Sequence, residues 1–482
     1  MASHRRPRIL LRTATVLVCV LAVTAVGGVA YQLATDDARL TSPQTAVTPR
    51  QPTQLPPLRS SPVRTVRSPV PVLVPVRTAP IPRRAALRAA LARPLSAPAL
   101  GPHVGLVVHD STHGKPLFSH NGSDVFVPAS TTKLFTVAAA LAALDPATRF
   151  RTTVVSSRGS RRIVLTGGGD PLLARRAAAG RPTVDGYPQP ASLARLAAAT
   201  ARALDQRGVR SVRLGLDATL FAGPTASPSW EPGYLYDVVS PITALWVDQG
   251  RAADSSGRSR DPVRAAGAAF AAQLQRNGIS VRGQPRAATA PVHGQALAAV
   301  ESPPLAQIAE HILAVSDNEA AEVLLRHVAL ARERTATFTG GGTAMRHVLR
   351  RLGIDLSGVR LYDGSGLSRR NRVPLHTLAD LLDLAAQQPR LRPLLAGLPV
   401  AGFSGSLGYR FVANGTEAAR GVVRAKTGTL SHVSLFAGSV RDASGTVLTF
   451  ALAADRVRLA DTTAAREVMD RVASAIASCG CR

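Results

Sequence analysis

Hydrophobic and polar positions alternate most regularly at the two ends of the folded part of this 482-residue chain. Near the start, two apolar runs around a polar turn with Gly114 predict a β-hairpin over residues 103–121. Near the end, three strand-like runs between residues 421 and 455 predict a β-meander followed by a helix. Helical spacing dominates residues 304–388. The pattern predicts an α/β (α+β) fold in which an antiparallel sheet, built from both chain ends, is flanked by helices.

Between these parts, residues 155–300 carry a mixture of strand-like and helix-like segments. Just before them lies the stretch VFVPASTTKLFTVAAALAAL, residues 125–144. Its Ala/Leu-rich run, which Ser130 opens, predicts a buried helix.

The N-terminal residues predict an export segment and a spacer. Residues 1–35 hold a basic flank and an uncharged apolar run, which fits either an uncleaved membrane anchor or a cleaved signal peptide. Residues 36–83 follow, with eleven prolines between Thr41 and Pro82 and no acidic residue in that stretch. Such a segment cannot bury a core, so we expect an extended, disordered tether. Both interpretations place the rest of the chain outside the cytoplasm, either anchored to the membrane or secreted.

The formal net charge of +28 is spread along the chain. Residues 1–93 hold fourteen arginines against two acidic residues, and the remaining excess is diffuse, with no basic run interleaved with aromatic residues. This distribution fits contact with an anionic polymer or a membrane surface. It predicts no nucleic-acid partner.

Lysine is rare in this chain, which has only Lys115, Lys133 and Lys426 among its 58 basic residues. Lys133 follows Ser130 by three residues at the start of a helix, so the two side chains share a face. A serine hydroxyl needs a base to become a nucleophile. Arginine cannot lose its proton in a protein, whereas a buried lysine near another positive charge can. The pair therefore indicates an activated serine.

Two further polar groups complete the candidate chemistry. Lys426 lies in a Lys-Thr-Gly tripeptide within the first strand of the meander, where the glycine would let a substrate backbone approach an edge strand. The second group is Ser316-Asp317-Asn318. An alternative interpretation is a helix capping box between Ser316 and Glu319, and both roles are compatible.

The order S-x-x-K, S-x-N, K-T-G is the signature shared by penicillin-binding proteins and serine β-lactamases. The surrounding blocks IVLTGGGDPLL, SPITALWVDQGR, AVSDNEAAEVLL, YDGSGLSRRNRV and RAKTGTL resemble, in the same order, D-alanyl-D-alanine carboxypeptidases of the penicillin-binding protein 4 type, peptidase family S13. The resemblance covers roughly residues 90–455. It implies a penicillin-binding, serine β-lactamase-like transpeptidase domain formed by residues 84–154 and 301–482, with one or more domains inserted at residues 155–300.

The resemblance also implies the role of each site residue. Ser130 is the acylated nucleophile, Lys133 its general base, Ser316 a proton relay to the leaving amine, and Asn318 positions the peptide carbonyl. Lys426 supports the electrostatics, and the substrate is held by Thr427, Gly428 and Thr429. The backbone N–H groups of Ser130 and Thr429 would form the oxyanion hole. No metal and no cofactor is implied. The resemblance implies peptidoglycan stem peptides as partners, β-lactams as inhibitors, and a location facing the cell wall.

Three alternatives have distinct signatures. A class A β-lactamase needs a deacylating glutamate, yet no Glu occurs between Glu333 and Glu417. A catalytically idle peptidoglycan-binding scaffold would not need Ser130 and Lys133. A DD-endopeptidase would use the same chemistry on cross-links, as a second activity.

Two local features have simpler interpretations. His109, Asp110 and His113 could form a metal site, but a hairpin turn is the better interpretation. The run DGSGLS at residues 363–368 is expected to be a loop near the active site.

Overall fold

A computed structural model describes residues 80–176, 187–252 and 257–480, all within one unit of the chain, Pro75–Arg482. The helices in this part are α1 Arg84–Leu95, α2 Thr132–Ala143, α3 Leu193–Asp205, α4 Pro262–Arg276, α5 Leu305–Val315, α6 Asn318–Leu330, α7 Phe338–Arg351, α8 Leu375–Gln387, α9 Arg392–Ala396 and α10 Thr462–Ser478. The strands are β1 Val104–Asp110, β2 Lys115–His120, β3 Val125–Phe126, β4 Arg151–Ser156, β5 Arg162–Thr166, β6 Ser211–Asp217, β7 Ser280–Val281, β8 Arg286–Ala287, β9 Gln295–Glu301, β10 Val373–Pro374, β11 Val423–Leu430, β12 Val433–Arg441 and β13 Val447–Ala454.

The first sheet has the strand order β11-β12-β13-β1-β2, and all its pairs are antiparallel. Strand β1 joins the terminal meander through pairs such as Val104 with Ala454. The predicted antiparallel sheet with strands from both chain ends is therefore confirmed, as are the hairpin and the closing helix.

Each face of this sheet is covered by helices, as the alternation of apolar residues requires. On one face, α1 and α10 pack against side chains such as Leu106 and Phe450. On the other face, α2 and α5–α8 form the larger core, which includes Val107 and Ala437. Helix α2 contacts neighbouring helices on several sides, so that ten of its twelve residues are buried, and this explains its nearly uniform apolar composition.

A second sheet is built from residues 151–301. Its strand order is β7-β6-β5-β4-β9, with β8 also pairing with β6. Strands β4 and β5 are antiparallel, whereas β5 and β6 run parallel. Helices α3 and α4 share a hydrophobic core with one face of the sheet.

Among the described residues, no helix is both long and apolar enough to span a bilayer. The predicted export segment, residues 1–35, lies outside the described residues, as does the tether up to residue 79.

Candidate active site

The turn that carries Ser130 is held between two other segments of the chain. A short 3₁₀ turn, Ala129–Thr131, precedes α2, and Ala129 adopts a left-handed φ of 45°. A Cβ atom at Gly366 would lie 1.8 Å from the carbonyl oxygen of Ala129, and one at Gly428 would lie 2.6 Å from that of Pro128. Only glycine allows the carbonyl oxygens to come this close, so the segments that contain Gly366 and Gly428 pack directly against the turn.

The Lys133 side chain is completely buried and reaches three oxygen atoms. Its Nζ lies 3.0 Å from Ser130 Oγ, 2.7 Å from Asn318 Oδ1 and 2.7 Å from the Ser365 carbonyl oxygen. The amide oxygen and the carbonyl oxygen can only accept hydrogen bonds. A neutral Lys133 amine would therefore donate its two protons to them, which leaves its lone pair for the Ser130 hydroxyl. The contacts favour a base aimed at the serine.

Burial lowers the pKa of Lys133 from 10.5 to about 8. Four carboxylates oppose this shift, Asp363 most strongly, followed by Asp317. The balance allows the amine to lose its proton near neutral pH.

Ser316 lies between α5 and α6 in a left-handed conformation, with φ of 61°. Its hydroxyl accepts a hydrogen bond from Lys426 Nζ at 2.9 Å. Helix α6 is instead capped by Asp317, whose carboxylate accepts from the Ala320 N–H at 2.9 Å. The capping-box interpretation of Ser316 is therefore wrong, because the adjacent aspartate caps the helix.

Two residues from the 155–300 region, Gln249 and Arg258, help to hold the segment Ser316-Asp317-Asn318 and its following helix in place. Asp317 Oδ2 accepts a hydrogen bond from Gln249 Nε2 and lies 3.2 Å from His311 Nε2. Glu319 accepts from Arg258 Nε at 2.9 Å, and both side chains are nearly buried. Hydrogen bonds, chiefly with His311, keep the pKa of Asp317 below its usual value despite burial.

Lys426 is also completely buried, and lies on β11, the edge strand of the first sheet. Besides Ser316, its Nζ donates to the Thr427 carbonyl oxygen at 2.7 Å. Burial, and then the charge of Lys133, lower its pKa well below the usual value. Repulsion between two ammonium groups is mutual, so a proton on either lysine disfavours a proton on the other.

The free edge of β11 begins next to Lys426. Its first half is covered, since the Ala401 N–H bonds to the Val423 carbonyl and the Ala425 N–H to the Pro399 carbonyl, both at 3.0 Å. Beyond Ala425, no other described backbone segment pairs with this edge. Thr429 is exposed there, and the Thr427 hydroxyl is half-buried and lies 2.8 Å from that of Ser406. The edge can accept an extended peptide as an added strand.

The loop at residues 363–368 contributes more than the sequence indicates. The buried Asp363 carboxylate accepts hydrogen bonds from the Gly366 and Ser368 N–H groups and from Trp230 Nε1. Glu322, which burial and Asp363 bring to a pKa of about 7, accepts from the Ser365 N–H at 2.8 Å. These bonds fix the Ser365 carbonyl that contacts Lys133. Only the polar, glycine-rich DGSGLS run marks this loop in the sequence.

The three residues of the alternative metal site, His109, Asp110 and His113, form two separate hydrogen bonds. His113 Nδ1 lies 2.5 Å from Asp110, whereas His109 Nδ1 lies 2.8 Å from Asp383 on α8. The three side chains therefore do not converge on one point.

Comparison with known proteins identifies relatives over most of the chain. Carboxypeptidase DacB of Mycolicibacterium smegmatis is 38% identical over 423 residues, which cover 85% of this chain and 88% of the relative. Carboxypeptidase Rv3627c of Mycobacterium tuberculosis is 37% identical and covers 85% and 87%. The D-alanyl-D-alanine carboxypeptidase of Actinomadura sp. is 31% identical, covering 73% and 78%.

The fold also matches a solved structure, penicillin binding protein 4 (dacB) from Haemophilus influenzae, with a TM-score of 0.64. The match covers 82% of this chain and 98% of the other at 22% identity, and it confirms the predicted fold class. The model of the D-Ala-D-Ala carboxypeptidase 3 (S13) family matches residues 87–257 and 251–476. As the order of its motifs predicts, the chain belongs to the D-Ala-D-Ala carboxypeptidase 3 (S13) family of serine peptidases.

Proposed function

We propose that Ser130 is the nucleophile with which this carboxypeptidase removes the terminal D-alanine of peptidoglycan stem peptides. The observation that carries this assignment is the buried Lys133 amine, 3.0 Å from Ser130 Oγ. Its other two contacts are with Asn318 Oδ1 and the Ser365 carbonyl oxygen, which can only accept hydrogen bonds. That arrangement supplies the base that a serine hydroxyl requires.

In the proposed reaction, Lys133 takes the hydroxyl proton as Ser130 Oγ attacks the carbonyl carbon of the penultimate D-alanine. The N–H groups of Ser130 and Thr429 stabilise the oxyanion, and Asn318 positions the peptide carbonyl. The bond to the terminal D-alanine then breaks, and its amine receives a proton through the Ser316 hydroxyl, which Lys426 contacts. Water hydrolyses the resulting ester and regenerates Ser130.

Substrate would bind along the free edge of β11. In this position the hydroxyls of Thr427 and Thr429 hold the terminal carboxylate near Lys426, and Gly428 lets the turn before Ser130 pack against the strand beside the bound peptide. A β-lactam would acylate the same serine and leave a stable adduct, so we expect penicillin sensitivity. The same open edge favours a second activity, DD-endopeptidase cleavage of cross-links, because the bond broken is again an amide following a D-alanine.

The setting proposed for this site is outside the cytoplasm. Residues 1–35 would direct export or anchor the chain in the membrane, and residues 36–83 would separate the enzyme from the bilayer. Residues 84–154 and 301–482 would form the catalytic domain, with residues 155–300 inserted; the separate sheet of residues 151–301 supports this division.

Incubating the full-length protein with a muramyl pentapeptide tests the function. We expect one equivalent of D-alanine and a tetrapeptide, and a stoichiometric adduct with a fluorescent penicillin that maps to the peptide containing Ser130. Rapid turnover of penicillin would instead indicate a β-lactamase. Wall binding without D-alanine release or labelling would indicate a scaffold.

The rate of penicillin acylation is expected to rise with pH. With a pKa of about 8, about one tenth of the Lys133 amines are neutral at pH 7, and the fraction changes about tenfold per pH unit below that. Loss of the proton creates the base, so the second-order rate constant should increase from pH about 6 and level off above about 8. Lys115→Gln, at an exposed lysine, is the control and should keep the profile. A flat profile would contradict Lys133 as the base.

A further inference from the structure

A groove outside the catalytic site is lined by five arginines. It lies at one end of the second sheet and has a volume of about 850 Å³. We define the arginine groove by Arg161, Arg162, Arg213, Arg282 and Arg286. Its remaining lining includes serines and a glutamine, but neither an acidic nor an aromatic residue.

The strands place these charges close together. Arg162 on β5 is the direct partner of Arg213 on β6 in the parallel ladder. Val212 and Leu214 face the core shared with α3 and α4, so Ser211 and Arg213 project from the opposite face. Arg282 donates from Nε to Ser211 Oγ at 2.8 Å, which brings a third guanidinium to the same face.

None of the five guanidinium groups forms an ion pair with any residue in the described ranges, and all five side chains are exposed. Some less exposed arginines elsewhere do pair, for example Arg258 with Glu319 and Arg410 with Asp470. Like charges that face each other across adjacent strands destabilise a sheet. The facing pair of Arg162 and Arg213 therefore carries a cost to folding, and no acidic side chain within the described residues pairs with either of them.

We propose that the arginine groove binds a phosphodiester-linked anionic polymer of the cell envelope. Every charged group in it is a hydrogen-bond donor whose planar fork matches phosphate oxygens. Five neighbouring cations match a ligand with closely repeated negative charges better than a single anion. The absence of aromatic residues from the lining disfavours recognition through sugar faces. A groove also suits a linear chain better than the flat surface of a bilayer.

This binding is separate from catalysis. The groove residues belong to β5, β6, β8 and adjoining turns, whereas Ser130, Lys133 and Lys426 lie on α2, its preceding turn and β11. Occupation of the groove would hold the enzyme on the wall while leaving the free edge of β11 open to stem peptides.

The test compares two triple variants of the full-length protein. Arg162→Gln, Arg213→Gln and Arg286→Gln change the groove, whereas Arg202→Gln, Arg207→Gln and Arg276→Gln remove three exposed arginines elsewhere in residues 155–300. Both lower the formal net charge of +28 by the same amount. At a salt concentration of about 0.15 M, we expect the groove variant to bind poly(glycerol phosphate) at least about tenfold more weakly, and the control variant to change less than about twofold.

Further measurements separate the alternatives. D-alanine release from a soluble pentapeptide should be unchanged in both variants, whereas retention on isolated walls should fall in the groove variant alone. Because facing charges are removed, its melting temperature should not decrease. Arg213→Gln alone provides the same comparison, with a loss of about threefold, should the triple variant not fold. Equal losses in both triple variants, stronger binding to polyglutamate, or stronger binding to phosphatidylglycerol vesicles would each overturn the proposal.

Discussion

Replacing Ser130 with alanine is expected to abolish both D-alanine release and labelling by a fluorescent penicillin. The change removes the one atom that forms the acyl bond, so the loss in kcat/KM should be at least about 10⁴-fold. The fold should remain intact, because the half-buried hydroxyl has only one hydrogen bond within the described residues, to Lys133 Nζ. D-alanine release is measured on the soluble pentapeptide, and melting temperature checks the fold.

The matched control for this variant is Ser157→Ala, an exposed serine between β4 and β5. It should keep full activity and labelling. D-alanine release by Ser130→Ala at more than about one hundredth of the normal rate would show that another group forms the acyl-enzyme.

Replacing Lys133 with arginine is expected to slow acylation by about 10²–10⁴-fold, the range typical of a lost general base. Arginine keeps the positive charge that could stabilise the site electrostatically, but it cannot release a proton. The variant therefore separates a basic role from a purely electrostatic one. The measurement is the second-order rate constant for penicillin acylation, followed from pH about 6 to about 8.5.

A second variant guards against misfolding, because a guanidinium is larger than the buried amine it replaces. Lys133→Met has a similar length and no proton acceptor, so it should lose a comparable amount of activity and the pH dependence as well. If Lys133→Arg acylates within about tenfold of the normal rate, the base must be another residue.

The sequence predicts the three groups of candidate catalytic residues because their chemistry is local or rare. Ser130 and Lys133 are neighbours on one helical turn, and Lys426 stands out in a chain with 55 arginines. The alternation around Lys426 also predicts its strand. The arrangement of these groups follows from the family resemblance, and the structure brings them to hydrogen-bonding distance of one another.

Other contacts depend on segments that no local pattern connects. Asp363 accepts hydrogen bonds from its own loop and from Trp230, which is 363 − 230 = 133 residues away. Gln249, which donates a hydrogen bond to Asp317, lies in the segment between β6 and α4 and so belongs to the region of the second sheet. The cap of α6 is ambiguous in the sequence for another reason: serine and aspartate are almost equally good caps, so adjacent Ser316 and Asp317 cannot be distinguished by propensity. The position of Lys426 distinguishes them, because its amine donates to the Ser316 hydroxyl while the Asp317 carboxylate caps the helix.

The pairing of β1 with β13 has a consequence for biogenesis. Val104 and Ala454 are partners across 454 − 104 = 350 residues, so β1 can pair early with β2, but with β13 only after nearly the whole polypeptide has emerged. A ribosome that stops before residue 423 releases a product with Ser130 and Lys133 but without β11. We therefore expect such a product, which lacks the contact of Lys426 with Ser316, to release no D-alanine from the soluble pentapeptide.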